Sequence, residues 1–474
     1  MHEVSAVAPD ESPDERAPRT FAGEPLRRLL LVTLGLAAFA VTLVMIAVVR
    51  GQQLSIVDEP AHADYAYQIA HGHIPAKGSL IAKEIRSEWA CHGLGNDTTP
   101  YPECDNGPGT FAVGSQDYTF GDPPVYYAVT GVIARGLDAT TSGSGQFITL
   151  GRCVGAGWLF GGMFVLYLAL RRFRVAWPYA AAAVVLLPLC PGVLASTSTI
   201  NSDAAAAVSG AAALFVLARI TVQRNLGWVL PAVVAALTTG TKILNGMPVL
   251  AVACVTGFMA LAAVGRGDRA RALRTVVPGA AIAAAFGVVY FGWSRFQAGR
   301  GRADWVNPNK GNGQPLTGST AGDLLSNLFG TFQHLTTNYW LAPQINGESL
   351  TIWATFLGVV LGAAPLLVMV ISRARSWGWA LGLAAFVGVS CVSLVVEYQV
   401  YADNDEFFVQ VAARYAMSFL PWLIACLAIV ASRRRLLKTS MAFAGLGTAV
   451  MLLAETGLFT LGPALVDHTS FLVG

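Results

Sequence analysis

Apolar runs of roughly twenty residues recur along the chain between short polar connections, and each is long enough to cross a hydrocarbon core of about 30 Å as a helix. Eleven spans are predicted, over 29–49, 148–170, 175–194, 203–220, 227–242, 246–264, 275–294, 350–371, 378–397, 413–431 and 440–461. The expected fold class is therefore an all-α polytopic membrane protein. Residues 1–25 are polar, Pro-rich and without apolar periodicity, the pattern of a disordered tail. Residues 26–474 read as a single transmembrane domain. The run from Leu29 to Val49 is too long for a signal-peptide core and no small-x-small cleavage site follows it, so it reads as an uncleaved first span.

Charge orients these spans. Five connections, beginning near 171, 219, 265, 372 and 432, hold 15 Lys and Arg, whereas the short connections on the other side hold only Lys242 and Arg414. The positive-inside rule then puts the N-terminus, with Arg27 and Arg28, in the cytoplasm of a bacterial cell and the C-terminus outside its plasma membrane. Counting 123–136 (PPVYYAVTGVIARG) as a span would invert everything after it, so that segment is expected to lie on the outer surface. Two outer loops, 50–147 and 295–349, are too long to be simple connections. The second carries Leu324, Leu325, Leu328, Phe329, Phe332 and Leu335 at helical spacing, an interfacial helix suited to a lid or a groove wall.

Composition narrows the class. Of 474 residues, 54% are hydrophobic and only 12% charged, with mean hydropathy +0.54. That is about half the charge of a soluble chain, which excludes a cytosolic enzyme, a secreted disulfide scaffold and a disordered protein. The net charge of +3 and the lack of a basic run interleaved with aromatics give no support to nucleic acid as a partner. Arg outnumbers Lys 26 to 5 amid abundant Ala and Gly, the usage of a GC-rich bacterial genome. Five of the seven Cys lie in spans; Cys91 and Cys104, in the first outer loop, are expected to form a disulfide on an oxidising face.

Polar chemistry concentrates outside, since loop 50–147 holds 11 of the 28 acidic residues and four of the seven His. Its sharpest feature is IVDEPAHADYAYQIAHG, 56–72, where Asp58, Glu59 and His62 at i, i+1 and i+4 would share one side of a helix. Asp-Glu-Pro is also a plain helix start, with a capping carboxylate and Pro in the first turn. As chemistry, one carboxylate deprotonates a hydroxyl while the other and His62 hold a divalent cation, Mg, Mn or Ca. Asp122, before two prolines, is either a cap or a second site carboxylate; Tyr126 beside it suits the interface. Lys242, at an outer hairpin end, either snorkels, finds a counter-ion, or faces a lipid phosphate. Arg414, followed by Tyr415, pairs with the nearby Asp403, Asp405 or Glu406, or clamps a phosphate; Arg152 carries the same ambiguity. Asp203 caps its helix unless Asn201 or Ser202 does.

The order of these features resembles the GT-C superfamily of membrane glycosyltransferases, which use polyprenyl-phosphate sugar donors on the outer face. The resemblance lies in layout across about 50–430: DEPAH after the first span, PPVYY later in the same loop, an Arg-led span, INSD, TGTKILNG and a late Arg-Tyr. DEPAH with the Arg-Tyr looks most like an uncharacterised bacterial branch of such proteins. That branch has Gln-Gly before Arg-Tyr and Pro three residues after it, where this chain has Ala412, Ala413 and Ser418. The resemblance implies a GT-C-like fold, Asp58 or Glu59 as the base or metal-linked carboxylate, and Lys242 near the donor phosphate. It also implies a polyprenyl-phosphate-linked sugar donor and a glycan, lipid or protein acceptor of the cell envelope. A transporter or lipid flippase is the rival reading, with few midplane charges and no internal repeat to support it. A non-catalytic envelope scaffold is the other.

Overall fold

The computed structural model describes residues 20–21, 24–50, 54, 58–92, 115–140, 146–305, short stretches between 307 and 335, and 348–372, 376–408, 411–433 and 435–455. Its helices are α1 (Leu26–Arg50), α2 (Glu59–Ala70), α3 (Lys83–His92), α4 (Val125–Asp138), α5 (Phe147–Arg172), α6 (Trp177–Val184), α7 (Pro191–Thr197), α8 (Ala206–Thr221), α9 (Val229–Thr241), α10 (Met247–Val264), α11 (Arg269–Ala298), α12 (Glu348–Ile371), α13 (Trp377–Asn404), α14 (Leu420–Ser432) and α15 (Arg435–Glu455). Among the described residues, strand pairing is limited to two antiparallel ladders of two residues per strand, Thr20–Phe21 with Glu24–Pro25 and Gln314–Pro315 with Glu406–Phe407, and two isolated bridges, Lys77 with Gly301 and Leu80 with Gln116. The protein is an all-α, multi-pass membrane protein.

Nine helices among the described residues are long and apolar enough to span, or ten if the bent pair over Trp177–Thr197 is one. Two of the eleven predicted spans differ from the expectation. The 175–194 span bends by 78°. Pro188 and Pro191 lie at the break and supply no N–H, so the helical ladder cannot run through them. The 227–242 span is helical for only 13 residues and stops at Lys242, whose backbone is extended (φ −167°, ψ 139°). That break turns the chain at the cavity described below.

The bundle has a centre and a rim. Some 78% of the apolar window is buried in Ser202–Thr221 and in Ala413–Ser432, against 22% in Leu437–Glu455, so α8 and α14 are the central helices. Small residues let the helices approach closely: a Cβ on Gly155 of α5 would strike the Thr197 carbonyl at the end of α7, and Gly210 of α8 lies as tightly on the Ser418 carbonyl before α14.

Over one end of this bundle lies a layer made by α2, α3, α4 and residues 115–122. In α4, Tyr126, Tyr127, Thr130, Gly131 and Ala134 face inward, while Val129, Val132, Ile133 and Leu137 are exposed. This two-faced helix is what the 123–136 pattern predicted, and at 14 residues it does not span. Most of the expected interfacial helix at 323–340 lies outside the described residues, as do the 1–19 tail, the 456–474 end and the Cys91–Cys104 pairing.

Candidate active site

The layer and the bundle enclose a cavity of about 610 Å³, lined among others by Asp58, His62, Tyr118, Asp122, Lys242, Trp293, Arg414 and Tyr415. Its residues come mainly from the start of α2, the 115–122 segment, the α9–α10 break, the end of α11, the end of α13, and the 3₁₀ turn Ala413–Phe419 that leads into α14.

Asp58 stands at the N-cap of α2 in the left-handed region (φ 61°, ψ 9°), which Asp tolerates better than most residues. Its side chain caps no helical N–H. One carboxylate oxygen accepts from the Tyr118 hydroxyl at 3.1 Å and the other from Arg414 Nη2 at 3.1 Å. Burial alone raises the Asp58 carboxyl, but the Arg414 guanidinium and these hydrogen bonds outweigh it and hold the group below the usual carboxylate range. Asp58 is therefore ionised at neutral pH. Its carboxylate remains 35% exposed.

Glu59, the next residue, points the other way and is fully buried. Arg152 Nε and Nη2 of α5 both donate to it at 2.7 Å, and the Ile200 amide donates at 3.0 Å. The left-handed turn at Asp58 separates the two carboxylates that helical spacing placed together. Glu59 and Arg152 thus form a strut between the layer and the bundle, outside the cavity lining. Tyr126 is likewise set behind the wall, its hydroxyl accepting from the Asn201 amide at 2.9 Å. The expected Asp58, Glu59 and His62 cation site does not assemble, because Arg152 and Ile200 occupy Glu59. Among the described residues no group of three His, Cys, Asp or Glu is placed to hold a metal.

The cations converge. Lys242 Nζ lies 2.5 Å from Asp203 Oδ1, and Arg414 Nη1 lies 3.9 Å from Asp203 Oδ2. Asn201 takes the capping role by accepting from the Asp203 amide at 2.9 Å, which leaves the Asp203 carboxylate for the two cations. Arg414 pairs with Asp58 and Asp203 rather than with the sequence-near Asp403, Asp405 or Glu406. The Tyr415 ring lies under both charges, 5.7 Å from Lys242 Nζ and 5.4 Å from the Arg414 guanidinium carbon.

A second chain of hydrogen bonds holds Asp122. Its Oδ2 accepts from the Tyr127 hydroxyl at 3.0 Å and from Ser202 Oγ at 2.8 Å. Because Tyr127 gives its proton to Asp122, the 2.7 Å contact between Tyr127 and His62 Nδ1 requires that nitrogen to carry hydrogen. Burial pushes the His62 imidazole below its usual value despite the pull of Asp122 and Asp58, so it is neutral. The sequence does not single out Tyr118, offers Tyr127 only as an interfacial aromatic beside Tyr126, and offers Ser202 only as a competing helix cap. Each adjoins or lies near a residue that it does put forward for the site, yet a hydroxyl gains its role only from the fold.

No family model matches the chain, and no curated protein matches it. Among solved structures it is similar to "ArnT from Cupriavidus metallidurans bound to Undecaprenyl phosphate", at 14% identity and a TM-score of 0.44. The likeness covers 89% of this chain and 62% of that one, so the chain spans less than two thirds of that protein's length.

Proposed function

We propose that this protein is a membrane glycosyltransferase that moves a sugar from a polyprenyl-phosphate donor to a glycan, lipid or protein acceptor on the outer face of a bacterial plasma membrane. The supporting observation is one cavity, at the end of a bundle of spanning helices, in which an ionised carboxylate (Asp58) stands beside two fixed cations (Lys242 and Arg414). A donor with its tail in lipid and its sugar in water requires a site at such a boundary.

In this reaction an acceptor hydroxyl attacks the anomeric carbon, and the bond from that carbon to the phosphate oxygen breaks. The hydroxyl proton passes to Asp58, and the electron pair leaves on polyprenyl phosphate. Lys242 and Arg414 are positioned to stabilise the charge growing on the leaving oxygen, which favours the transition state over bound substrate. Arg414 has a second effect. A phosphate that draws its guanidinium away removes the counter-ion that keeps Asp58 weakly basic, so donor binding itself raises the basicity of Asp58. Asp122, held by Tyr127 and Ser202, supplies a fixed acceptor for sugar hydroxyls.

The test is transfer from a panel of radiolabelled polyprenyl-phosphate sugars in membranes containing the wild type or Lys242→Ala, at matched expression. Transfer lost in the variant supports the assignment. Absence of transfer from every donor by the wild type, or undiminished transfer by Lys242→Ala, overturns it.

A further inference from the structure

Asp203, just before α8, holds Lys242 at the cavity; the opposite end of α8 and of its neighbour α5 holds a cluster of a different kind. From Asp203 to Arg219 the rise of a helix is about 24 Å, so the last turns of α5 and α8 lie near the opposite membrane surface. There α5 ends in Arg172 and its neighbour α8 carries Arg219 in its last turn, with Arg174 and Arg224 just past the helix ends in left-handed conformation (φ 66° and 58°). Asp203 is the sole acidic residue in the whole stretch 139–267. Neither helix can therefore supply a counter-ion at this end.

The Arg172 head group is held in place. Its guanidinium carbon sits 4.3 Å from the centre of the Phe215 ring, and Nη1 donates to Gln223 Oε1 at 2.5 Å. Both of these partners are uncharged. Phe215 lies one helical turn before Arg219, so the Arg172 head group and Arg219 share one stretch of the α5–α8 contact. The Nε atoms of both residues are buried without a hydrogen-bond partner. Among the described residues neither has a carboxylate partner. A helix dipole favours one cation in each last turn. It does not account for a guanidinium packed one helical turn from a second arginine, each with its Nε donor unused.

We propose that Arg172 and Arg219 form a binding site for a phosphate group at the membrane surface opposite the cavity, filled by the headgroup of an anionic phospholipid. Two guanidiniums with unused donors match a phosphate by charge and by forked geometry. The depth points to a lipid as its source. Arg28 stacks over Trp177 at 5.4 Å at the start of α6, and Trp228 is exposed at the start of α9, both marking the headgroup level at this end. The site is independent of the glycosyltransferase reading and needs no donor or acceptor.

The experiment uses the full chain in three settings: phosphatidylcholine nanodiscs, the same discs with phosphatidylglycerol added, and phosphatidylcholine discs with inorganic phosphate in the buffer. Thermal midpoint and lipid retention in native mass spectrometry are read for the wild type, Arg172→Gln/Arg219→Gln, and Arg433→Gln as an exposed-charge control. Phosphatidylglycerol is expected to raise the midpoint of the wild type and the control, with the double variant binding it at least about tenfold more weakly. Stabilisation by inorganic phosphate alone, lost in the double variant, supports the phosphate site and replaces the lipid with a soluble occupant. Equal retention by the double variant, or no response of the wild type to either addition, overturns the proposal. Should the double variant fold poorly, Arg172→Lys/Arg219→Lys must still retain phosphatidylglycerol above its share of the lipid in the mixed discs, and failure to do so also overturns it.

Discussion

Arg414 places a guanidinium nitrogen 3.1 Å from the Asp58 carboxylate across 356 residues of chain. The contact joins the start of the outer layer to the start of the central helix α14. It also ties the basicity of the one carboxylate to the cation beside it. Replacing Arg414 with Gln is expected to lower transfer about 10²- to 10³-fold, the usual cost of losing one fixed donor at a developing charge. Because Arg414 holds the Asp58 carboxyl low, its removal lets that pKa rise. The acid limb of the rate profile should then move to higher pH. A pH–rate series on both proteins checks this, and an unmoved acid limb would disconnect the two residues.

The Glu59–Arg152 pair should behave as structure. Its carboxylate is fully buried and its guanidinium nearly so, and breaking such a pair leaves one charge without compensation. Arg152→Leu is expected to cost about 3–5 kcal/mol of stability, and Glu59→Leu/Arg152→Leu to recover part of that loss. Recovery is incomplete because the Ile200 amide keeps no acceptor. Thermal midpoints in detergent measure both, and a single variant as stable as the wild type would contradict the assignment.

Asp64 and Asp117 provide a pH-dependent joint in the outer layer. Both are fully buried. Asp64 accepts from the Ala82 amide at 2.8 Å and from Gln68 at 2.5 Å, while Asp117 accepts from the Thr119 amide at 2.7 Å. Burial, reinforced by Glu84, raises the Asp64 carboxyl to about 6; burial and Asp64 push Asp117 well above the usual range. The folded chain thus holds protons that the unfolded chain releases near pH 4. Stability is full below that point and falls as pH rises through about 6. Asp58, whose carboxyl is lowered, works in the opposite sense and loses its contribution as pH falls. Asp117→Asn should flatten the decline above about pH 4, as read from thermal midpoints across the range. A wild type that gains stability over that window would be inconsistent with the pair.

Spans were legible in the sequence because a continuous apolar run has one meaning in a bilayer. Where the sequence read whole spans, the structure shows breaks at Pro188, Pro191 and Lys242. Hydropathy averages over a window and does not register one missing N–H or one extended residue. At the site, Asp58, Asp122, Asp203, Lys242 and Arg414 were legible because charges at the ends of spans are few. The partition between Asp58 and Glu59 was not. It follows from a left-handed turn at one residue, and spacing rules assume that the helix begins before it. Tyr127 and Ser202 gain their roles only by contact with Asp122, which no local pattern encodes.

The most direct measurement compares sugar transfer per folded molecule in Asp58→Asn and Glu59→Gln, using labelled polyprenyl-phosphate sugar. Asp58→Asn should fold normally and lose at least about 10²-fold in rate, as expected for a general base. Glu59→Gln should yield less folded protein whose specific rate stays near that of the wild type. An active Asp58→Asn beside a well-folded, inactive Glu59→Gln would contradict the central claim that Asp58 is the carboxylate that acts.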